Sequence, residues 1–175
     1  GESFPSGAGS FWTWREAMYD LVRTLTPERV YDLSLCAYEE MLDAGITCVG
    51  EFHYVRHTGD DLDHALDDAL LASARDAGIR LVLIPSYYRR GGFDTPLSAP
   101  QRRFETPSTD RYWARVDDLA ERLADDSAQS IAASFHSVRS ASPEDMRTIV
   151  GGAARRGLVL HAHLEEQRRE GDERL

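Results

Sequence analysis

A repeated order of helix, glycine and short apolar run constrains the fold of this chain more than any other feature. Three predicted helices end at a glycine, and an apolar run follows at once: Ile46–Phe52 after Gly45, Ile79–Pro85 after Gly78, and Leu158–His161 after Gly157. Glycine readily adopts the left-handed conformation that ends helices, and branched apolar residues favour strands. A further strand is predicted at Ser130–Phe135. The chain therefore alternates helices with four strands.

The predicted helices fill the spaces between these strands. They cover about Trp12–Leu25, a helix that starts after Thr26 and ends near Ala44, Leu62–Ala77, Thr109–Ala124, and a helix that starts after Ser142 and ends at Gly157. Thr26 and Ser142 each precede a proline and an acid, which is an N-terminal capping signal. The loop of residues 86–107 is long for a compact domain, and such loops are more often functional than idle.

Polar clusters directly follow all four predicted strands. They are Glu51-Phe52-His53-Tyr54, Tyr87-Tyr88-Arg89, His136-Ser137-Val138-Arg139 and His163-Leu164-Glu165-Glu166. Strands alternating with helices at this spacing imply parallel βαβ units in an α/β fold, either a small open sheet or part of a closed barrel. A (β/α)8 barrel keeps its chemistry at this end of its strands, whereas an open sheet rarely uses every strand. The clusters favour a partial (β/α)8 TIM barrel.

Composition excludes several kinds of function. The formal net charge of −10 disfavours general binding to nucleic acid or to an anionic membrane. All twenty basic residues are arginine, so no Schiff-base lysine and no phosphate-loop lysine exist in this chain. No glycine-rich dinucleotide motif follows a strand. No signal peptide or membrane-spanning run is evident, and a cytoplasmic location is expected. Cys36 and Cys48 form no metal or disulfide pattern and are predicted to be core thiols.

The candidate site residues each allow two interpretations from the sequence. His161 and His163 share one face of a strand and are either metal ligands, with Glu166 as a proton carrier, or hydrogen-bonded core histidines. His136 with Arg139 suits a substrate carboxylate, but Arg139 is equally a surface residue. Tyr54 and His53 lie in a loop where ligand contact is common, and Arg15 either binds ligand or pairs within its aromatic helix. Four acidic pairs are predicted to be solvated: Asp60-Asp61, Asp67-Asp68, Asp117-Asp118 and Asp125-Asp126.

Several stretches together resemble one enzyme family. They are Ser10–Tyr19, Gly50–Tyr54, Gly91–Phe93, Gln101–Phe104, His136–Arg139 and His161–Gln167. In this order they are similar to the formimidoylglutamate deiminases of histidine degradation, a family of the metal-dependent amidohydrolase superfamily. The resemblance runs along nearly all 175 residues, and Phe-Trp-Thr-Trp-Arg-Glu and Gly-Glu-Phe-His-Tyr are its most specific stretches.

The resemblance implies a zinc-bearing (β/α)8 barrel that hydrolyses N-formimino-L-glutamate, a small dicarboxylate, to N-formyl-L-glutamate and ammonia. It implies His163 as metal ligand and Glu166 as the catalytic proton shuttle, and His136 at the reacting end of the substrate. The glutamate portion would be bound by Arg15, Tyr54 and Arg139. The resemblance implies zinc, although an imidazole and carboxylate site also suits iron or another divalent metal. The complete enzyme is expected to be a homo-oligomer.

The resemblance also implies which part of a barrel is present. The four strands match strands 2 to 5, so residues 1–175 are expected to be the central part of one barrel domain, without its first and last three strands. A role for His57 is doubtful, because the family has two histidines where this chain has Arg56 and His57. Two rival functions are another amidohydrolase, such as an aminopurine or other ring deaminase, and a non-catalytic half-barrel used for binding.

A prediction follows for the isolated chain. With one predicted zinc ligand of the expected four, the purified 175-residue chain should bind zinc weakly and release no ammonia from formiminoglutamate when zinc is added. An ammonia-release assay measures this directly, and robust turnover would contradict the expectation that the catalytic apparatus is incomplete.

Overall fold

The computed structural model describes residues 11–59 and 62–165, with side chains from residue 17 onwards. Helices alternate with strands along this part of the chain. The helices are α1 (Phe11–Thr24), α2 (Pro27–Asp43), α3 (Ala65–Ala77), α4 (Thr109–Arg122) and α5 (Pro143–Arg156). The strands are β1 (Cys48–His53), β2 (Arg80–Tyr87), β3 (Gln129–Ile131), β4 (Ala133–Ser137) and β5 (Leu160–His163). No described helix is long and apolar enough to cross a membrane.

All strand pairs in the described sheet are parallel. The strand order is β1-β2-β4-β5, and β3 pairs with β2 just ahead of β4. The sheet is curled, and the helices cover one of its faces. Two apolar clusters fill the space between the sheet and the helices, one around Leu66, Leu81 and Leu83 and the other around Tyr112 and Ile149. Because the strands are parallel, their carboxyl ends lie along one edge.

The strand predicted at Ser130–Phe135 is divided into β3 and β4 at Ala132. The pairing with β2 keeps the same register on both sides of the break, from Leu83 opposite Ile131 to Ser86 opposite Ser134. Pro85 lies within the break and has no amide hydrogen for the ladder. The buried Tyr112 hydroxyl replaces the lost bridge, since it donates to the Pro85 carbonyl at 3.0 Å and accepts from the Ser134 amide at 2.8 Å.

The helix ends confirm the capping signals of the sequence. The Thr26 and Ser142 side chains accept from the Arg29 and Asp145 amides at the starts of α2 and α5. Gly157 ends α5 in the left-handed conformation, with φ at 66°. The Leu158 amide still bonds to Ala153 in that cap, so β5 starts two residues later than predicted, at Leu160.

The prediction that both cysteines are core thiols was wrong. Cys36 and Cys48 are exposed rather than buried in the core. Cys36 lies on the outer surface of α2, and Cys48 is the first residue of β1, an edge strand of the described sheet. The long loop after β2 contains a 3-10 helix, Ala99–Phe104, which packs against α1.

Substitutions at two adjacent glycines of α5 can measure how closely this helix packs against α4. A Cβ added at Gly152 would lie 2.3 Å from the buried Trp113 ring of α4, whereas one at Gly151 would meet only Arg155 Nη1, at 3.4 Å. Gly152→Ala should therefore lower the free energy of unfolding by about 1–3 kcal/mol through overpacking. Gly151→Ala is the matched control and should raise it by about 0.5–1 kcal/mol through helix propensity. Urea unfolding of both variants measures the difference, and equal effects would contradict this packing.

Candidate functional site

The carboxyl ends of the strands bring aromatic and imidazole rings together at one edge of the sheet. Side chains two apart along a strand share a face, so Phe52 and Tyr54 point the same way at the end of β1. We define the strand-end cluster as Phe52, Tyr54, Tyr88, Phe104, His136 and His163. The His136 ring centroid lies 5.0 Å from Tyr54, 4.8 Å from Tyr88 and 5.1 Å from His163. His136 is therefore at the centre of the cluster.

His163 lies at the edge of the strand-end cluster. It is the last residue of β5, it is exposed, and its ring centroid lies 4.2 Å from that of Phe52. His161 lies two residues earlier, is half-buried and is opposite Ser134 of β4. The strand thus presents His163, the metal ligand that the resemblance implies, rather than His161 at its carboxyl end.

Tyr88 is a member of the cluster that is absent from the site residues predicted from the sequence. Its hydroxyl accepts a hydrogen bond from Gln101 Nε2 at 3.0 Å. The Gln101 amide is itself oriented, because its oxygen accepts from the backbone amide and the hydroxyl of Ser98 at 2.9 and 2.8 Å. The long loop therefore serves to fix Tyr88 beside His136. The signal in the sequence was the Tyr87-Tyr88-Arg89 cluster directly after a strand.

A tight turn after β4 carries Arg139. The Ser140 hydroxyl accepts from the Ser137 amide and donates to the Ser137 carbonyl, both at 2.9 Å. The amides of Arg89 and Arg90, after β2, both donate to the Ser140 carbonyl. The Arg90 guanidinium also donates to the Ala141 carbonyl at 2.5 Å. The loops after β2 and β4 are thus bound to each other, and Arg139 lies half-buried in the turn after β4.

The remaining predicted site residues lie at the margin of the described structure. Arg15 belongs to α1, but its side chain lies outside the described residues, as does the whole of Glu166. The helix α1 is attached to the site by Arg103, whose guanidinium donates to the carbonyls of Val22 and Leu25 and to that of His57. The structure thus brings Tyr54, His136 and His163 together, and the roles predicted for all these residues stay predictions.

A buried carboxylate lies behind the strand-end cluster, at Asp67. Arg56 donates to both of its oxygens, at 3.1 and 2.8 Å, Arg115 donates at 3.0 Å, and His53 Nε2 lies 3.1 Å away.

The prediction that Asp67-Asp68 is a solvated pair was therefore wrong for Asp67, which is fully buried, and held for Asp68, which is 55% exposed. Asp67 and Asp68 point about 100° apart, because they are adjacent in a helix. Asp67 lies three, four and seven residues before the buried Leu70, Leu71 and Ala74, so it shares their face of α3. That apolar spacing was the signal for its burial.

The protonation states of this buried region follow from its contacts. Burial opposes ionisation of Asp67, but the Arg56 guanidinium and the contact with His53 hold the pKa of that carboxyl well below its usual range. Burial, and then the Arg56 charge, lower the pKa of His64 to about 3. Burial also lowers the pKa of His57. Its Nε2 donates to the Glu105 carbonyl at 2.9 Å and its Nδ1 accepts from the His64 amide, a pair of contacts that only a neutral ring can make.

The strand-end cluster fits a metal by donor type. Imidazole is a ligand that suits zinc, and the rings of His136 and His163 meet edge-on at the strand ends, with their centroids 5.1 Å apart. Within residues 11–59 and 62–165, no group of three or more His, Cys, Asp or Glu is arranged to hold a metal ion. The described residues thus offer part of a ligand set, and His163 is the more accessible of the two imidazoles.

Comparison with known proteins gives one family and a consistent set of relatives. A model of the amidohydrolase family matches residues 2–175. Formimidoylglutamate deiminase from Pseudomonas aeruginosa is 39% identical over 170 residues, which is 94% of this chain and 37% of that protein. An 8-oxoguanine deaminase from the same organism is 28% identical over 159 residues, 91% of this chain and 35% of that protein. This chain therefore spans little more than a third of the relatives it matches.

A solved structure shows the same fold. The crystal structure of an amidohydrolase from Brucella melitensis matches with a TM-score of 0.86 and 31% identity, over 98% of this chain and 39% of that chain. The parallel, curled sheet with helices on one face corresponds to part of the barrel of such a protein. The predicted partial (β/α)8 barrel is confirmed.

The buried neutral histidines predict how stability depends on pH. The unfolded chain takes up protons on His57 and His64 near the ordinary value of 6.5, whereas the folded chain resists until the pH approaches 3 at His64. The free energy of unfolding should therefore decrease as the pH falls from 6.5 towards 3. His64→Asn should flatten this decrease, since asparagine tolerates the positive φ of 53° at this position. Urea unfolding across this pH range tests it, and equal slopes for both proteins would contradict a neutral His64.

Proposed function

The chain belongs to the amidohydrolase family, and on that premise we propose that it carries part of the active site of a formimidoylglutamate deiminase. The reaction joins N-formimino-L-glutamate and water to give N-formyl-L-glutamate and ammonia. It would be a step of histidine degradation in the cytoplasm. The family and the 39% identity to the Pseudomonas aeruginosa deiminase support hydrolysis of a carbon–nitrogen bond.

The observation that carries the proposal is the convergence of four strand ends on His136. Tyr54 from β1, Tyr88 from β2 and His163 from β5 all bring their rings close to the His136 ring. This edge is where barrel enzymes keep their chemistry. A substrate that reaches His136 therefore meets hydroxyl and imidazole groups from three further strands.

The substrate carboxylates would be bound by arginine. Formiminoglutamate carries two carboxylates, and the planar guanidinium group pairs with a carboxylate through two parallel hydrogen bonds. Arg139, in the turn after β4, and Arg15 of α1 are the residues proposed for this role, with Tyr54 as a further polar contact. A chain with a net charge of −10 can bind a dianion, because a few nearby arginines set the local field.

The reacting end of the substrate would lie between His136 and His163. His163 would hold a divalent metal, zinc by preference, which supplies Lewis-acid activation of a water molecule when bound. Glu166 would take one proton from the attacking water and pass it to the imino nitrogen of the formimino group, and would then pass the second proton of that water to the same nitrogen, which leaves as ammonia. His136 would keep the formimino carbon in register, so that the carbon–oxygen bond forms first and the carbon–nitrogen bond then breaks.

A ring deaminase is the second candidate, favoured by the 28% identity to an 8-oxoguanine deaminase. Both candidates share the fold, the metal and the loss of ammonia. They differ in the substrate: a purine-like ring has no carboxylates, so its binding needs no arginine that pairs with a carboxylate. The effect of replacing Arg139 on substrate binding therefore distinguishes the two functions.

Replacement of Arg139 tests the dicarboxylate site in the complete protein. Arg139→Met should raise the KM for formiminoglutamate about 10- to 100-fold, because a charge-assisted hydrogen-bond pair of roughly 1.5–3 kcal/mol is lost. Arg147→Met, an exposed position on α5, is the matched control and should leave KM unchanged. Steady-state ammonia release measures both variants. An unchanged KM for Arg139→Met, or turnover of an aminopurine and none of formiminoglutamate, would contradict the proposal.

A further inference from the structure

Asp67 contacts residues on both sides of Tyr54. His53 immediately precedes Tyr54, and its Nε2 lies 3.1 Å from one Asp67 oxygen. Arg56 follows two residues after Tyr54 and binds both oxygens of the same carboxylate. His53, Arg56 and Asp67 are all buried, with 6% or less of each side chain exposed. One buried carboxylate thus fixes the two ends of a four-residue segment.

Because side chains alternate between the two faces of a strand, this attachment of His53 also sets the direction of the Tyr54 side chain. His53 points towards α3, so Tyr54 points to the opposite face. There its ring packs edge-on against His136, at 5.0 Å, and against Phe104, at 5.1 Å. A shift of His53 would rotate the backbone at Tyr54 and move its hydroxyl along the strand-end cluster.

The backbone after Tyr54 has a second attachment that depends on Arg56. The amides of Arg56 and His57 both donate to the Arg103 carbonyl, at 3.0 and 3.2 Å, and the Arg56 carbonyl accepts from the Leu66 amide at 3.4 Å. The fully buried Arg56 guanidinium keeps this position only while an anion is opposite it, because an unpaired buried charge is costly. Asp67 is that anion.

Arg56 depends on Asp67 for its charge pairing more than Arg115 does. Arg115 also contacts Asp67, but it shares its guanidinium with Asp118 at 2.7 Å and with Asp68 at 3.7 Å. Arg115 thus has other anions within reach when Asp67 is changed, whereas the bidentate contact of Arg56 is with Asp67. The consequence of losing the Asp67 charge therefore falls on Arg56 and the segment that contains Tyr54.

We infer that Asp67 is a positioning residue of the substrate site, which holds Tyr54 beside His136 through His53 and Arg56. This inference rests on the proposed function, in which Tyr54 contacts the glutamate portion of the substrate. Asp67 itself lies behind the sheet and contacts no reacting group.

The test uses the complete protein and a double-mutant cycle. His53→Leu removes one attachment and leaves Asp67 paired with Arg56 and Arg115, so it disturbs folding less than Asp67→Asn. His53→Leu should raise the KM for formiminoglutamate about tenfold with a smaller change in kcat, and this effect should disappear when Tyr54 is already phenylalanine. Asp67→Asn should act in the same direction, and Asp68→Asn, its exposed neighbour, should leave KM unchanged. Independent, multiplicative effects of His53→Leu and Tyr54→Phe would overturn the inference.

A second readout needs no turnover. Fluorotyrosine placed at position 54 should show a changed ¹⁹F NMR resonance in His53→Leu and the wild-type resonance in Asp68→Asn. An unchanged resonance in His53→Leu would overturn the positioning role. Absence of turnover of formiminoglutamate by the wild-type protein would instead overturn the proposed function, and the resonance would still decide whether Asp67 positions Tyr54.

Discussion

Parallel pairing of the strands is the constraint on which the rest of this structure depends. It brings the carboxyl ends of β1, β2, β4 and β5 to one edge, where a period of two then selects Tyr54, Tyr88, His136 and His163 for the same face. Tyr54 and His163, which are 109 positions apart in the chain, thereby both lie close to the His136 ring. The chemistry of the site follows from this edge rather than from any local motif.

A second layer of contacts holds this edge in place from behind. The loops that carry the site residues are attached to one another by backbone and buried charged groups: Ser140 binds the loop after β2, Arg103 binds the end of α1, and Asp67 binds the segment after β1. Each attachment satisfies a buried polar or charged group that would otherwise destabilise the fold. Stability and the placement of site residues therefore depend on the same contacts.

The parts of this fold that could be predicted are those with a local cause. Capping at Thr26 and Ser142 and the turn at Gly157 mark helix ends, because the residues that form each cap are neighbours in sequence. The grouping of Tyr54, His136 and His163 was also predictable, since all follow parallel strands. The break at Pro85 depends on its pairing partner, and the two arginines that neutralise the buried Asp67, Arg56 and Arg115, come from other elements. Such features appear only when distant segments meet.

The most direct test of the central claim is a crystal structure of the complete protein with zinc and the product N-formyl-L-glutamate. An anomalous zinc signal is expected about 2.1 Å from an imidazole nitrogen of His163, and a ligand carboxylate is expected to pair with the Arg139 guanidinium beside Tyr54. A zinc ion bound away from His163, or a ligand whose carboxylates contact neither Arg139 nor Tyr54, would contradict that claim.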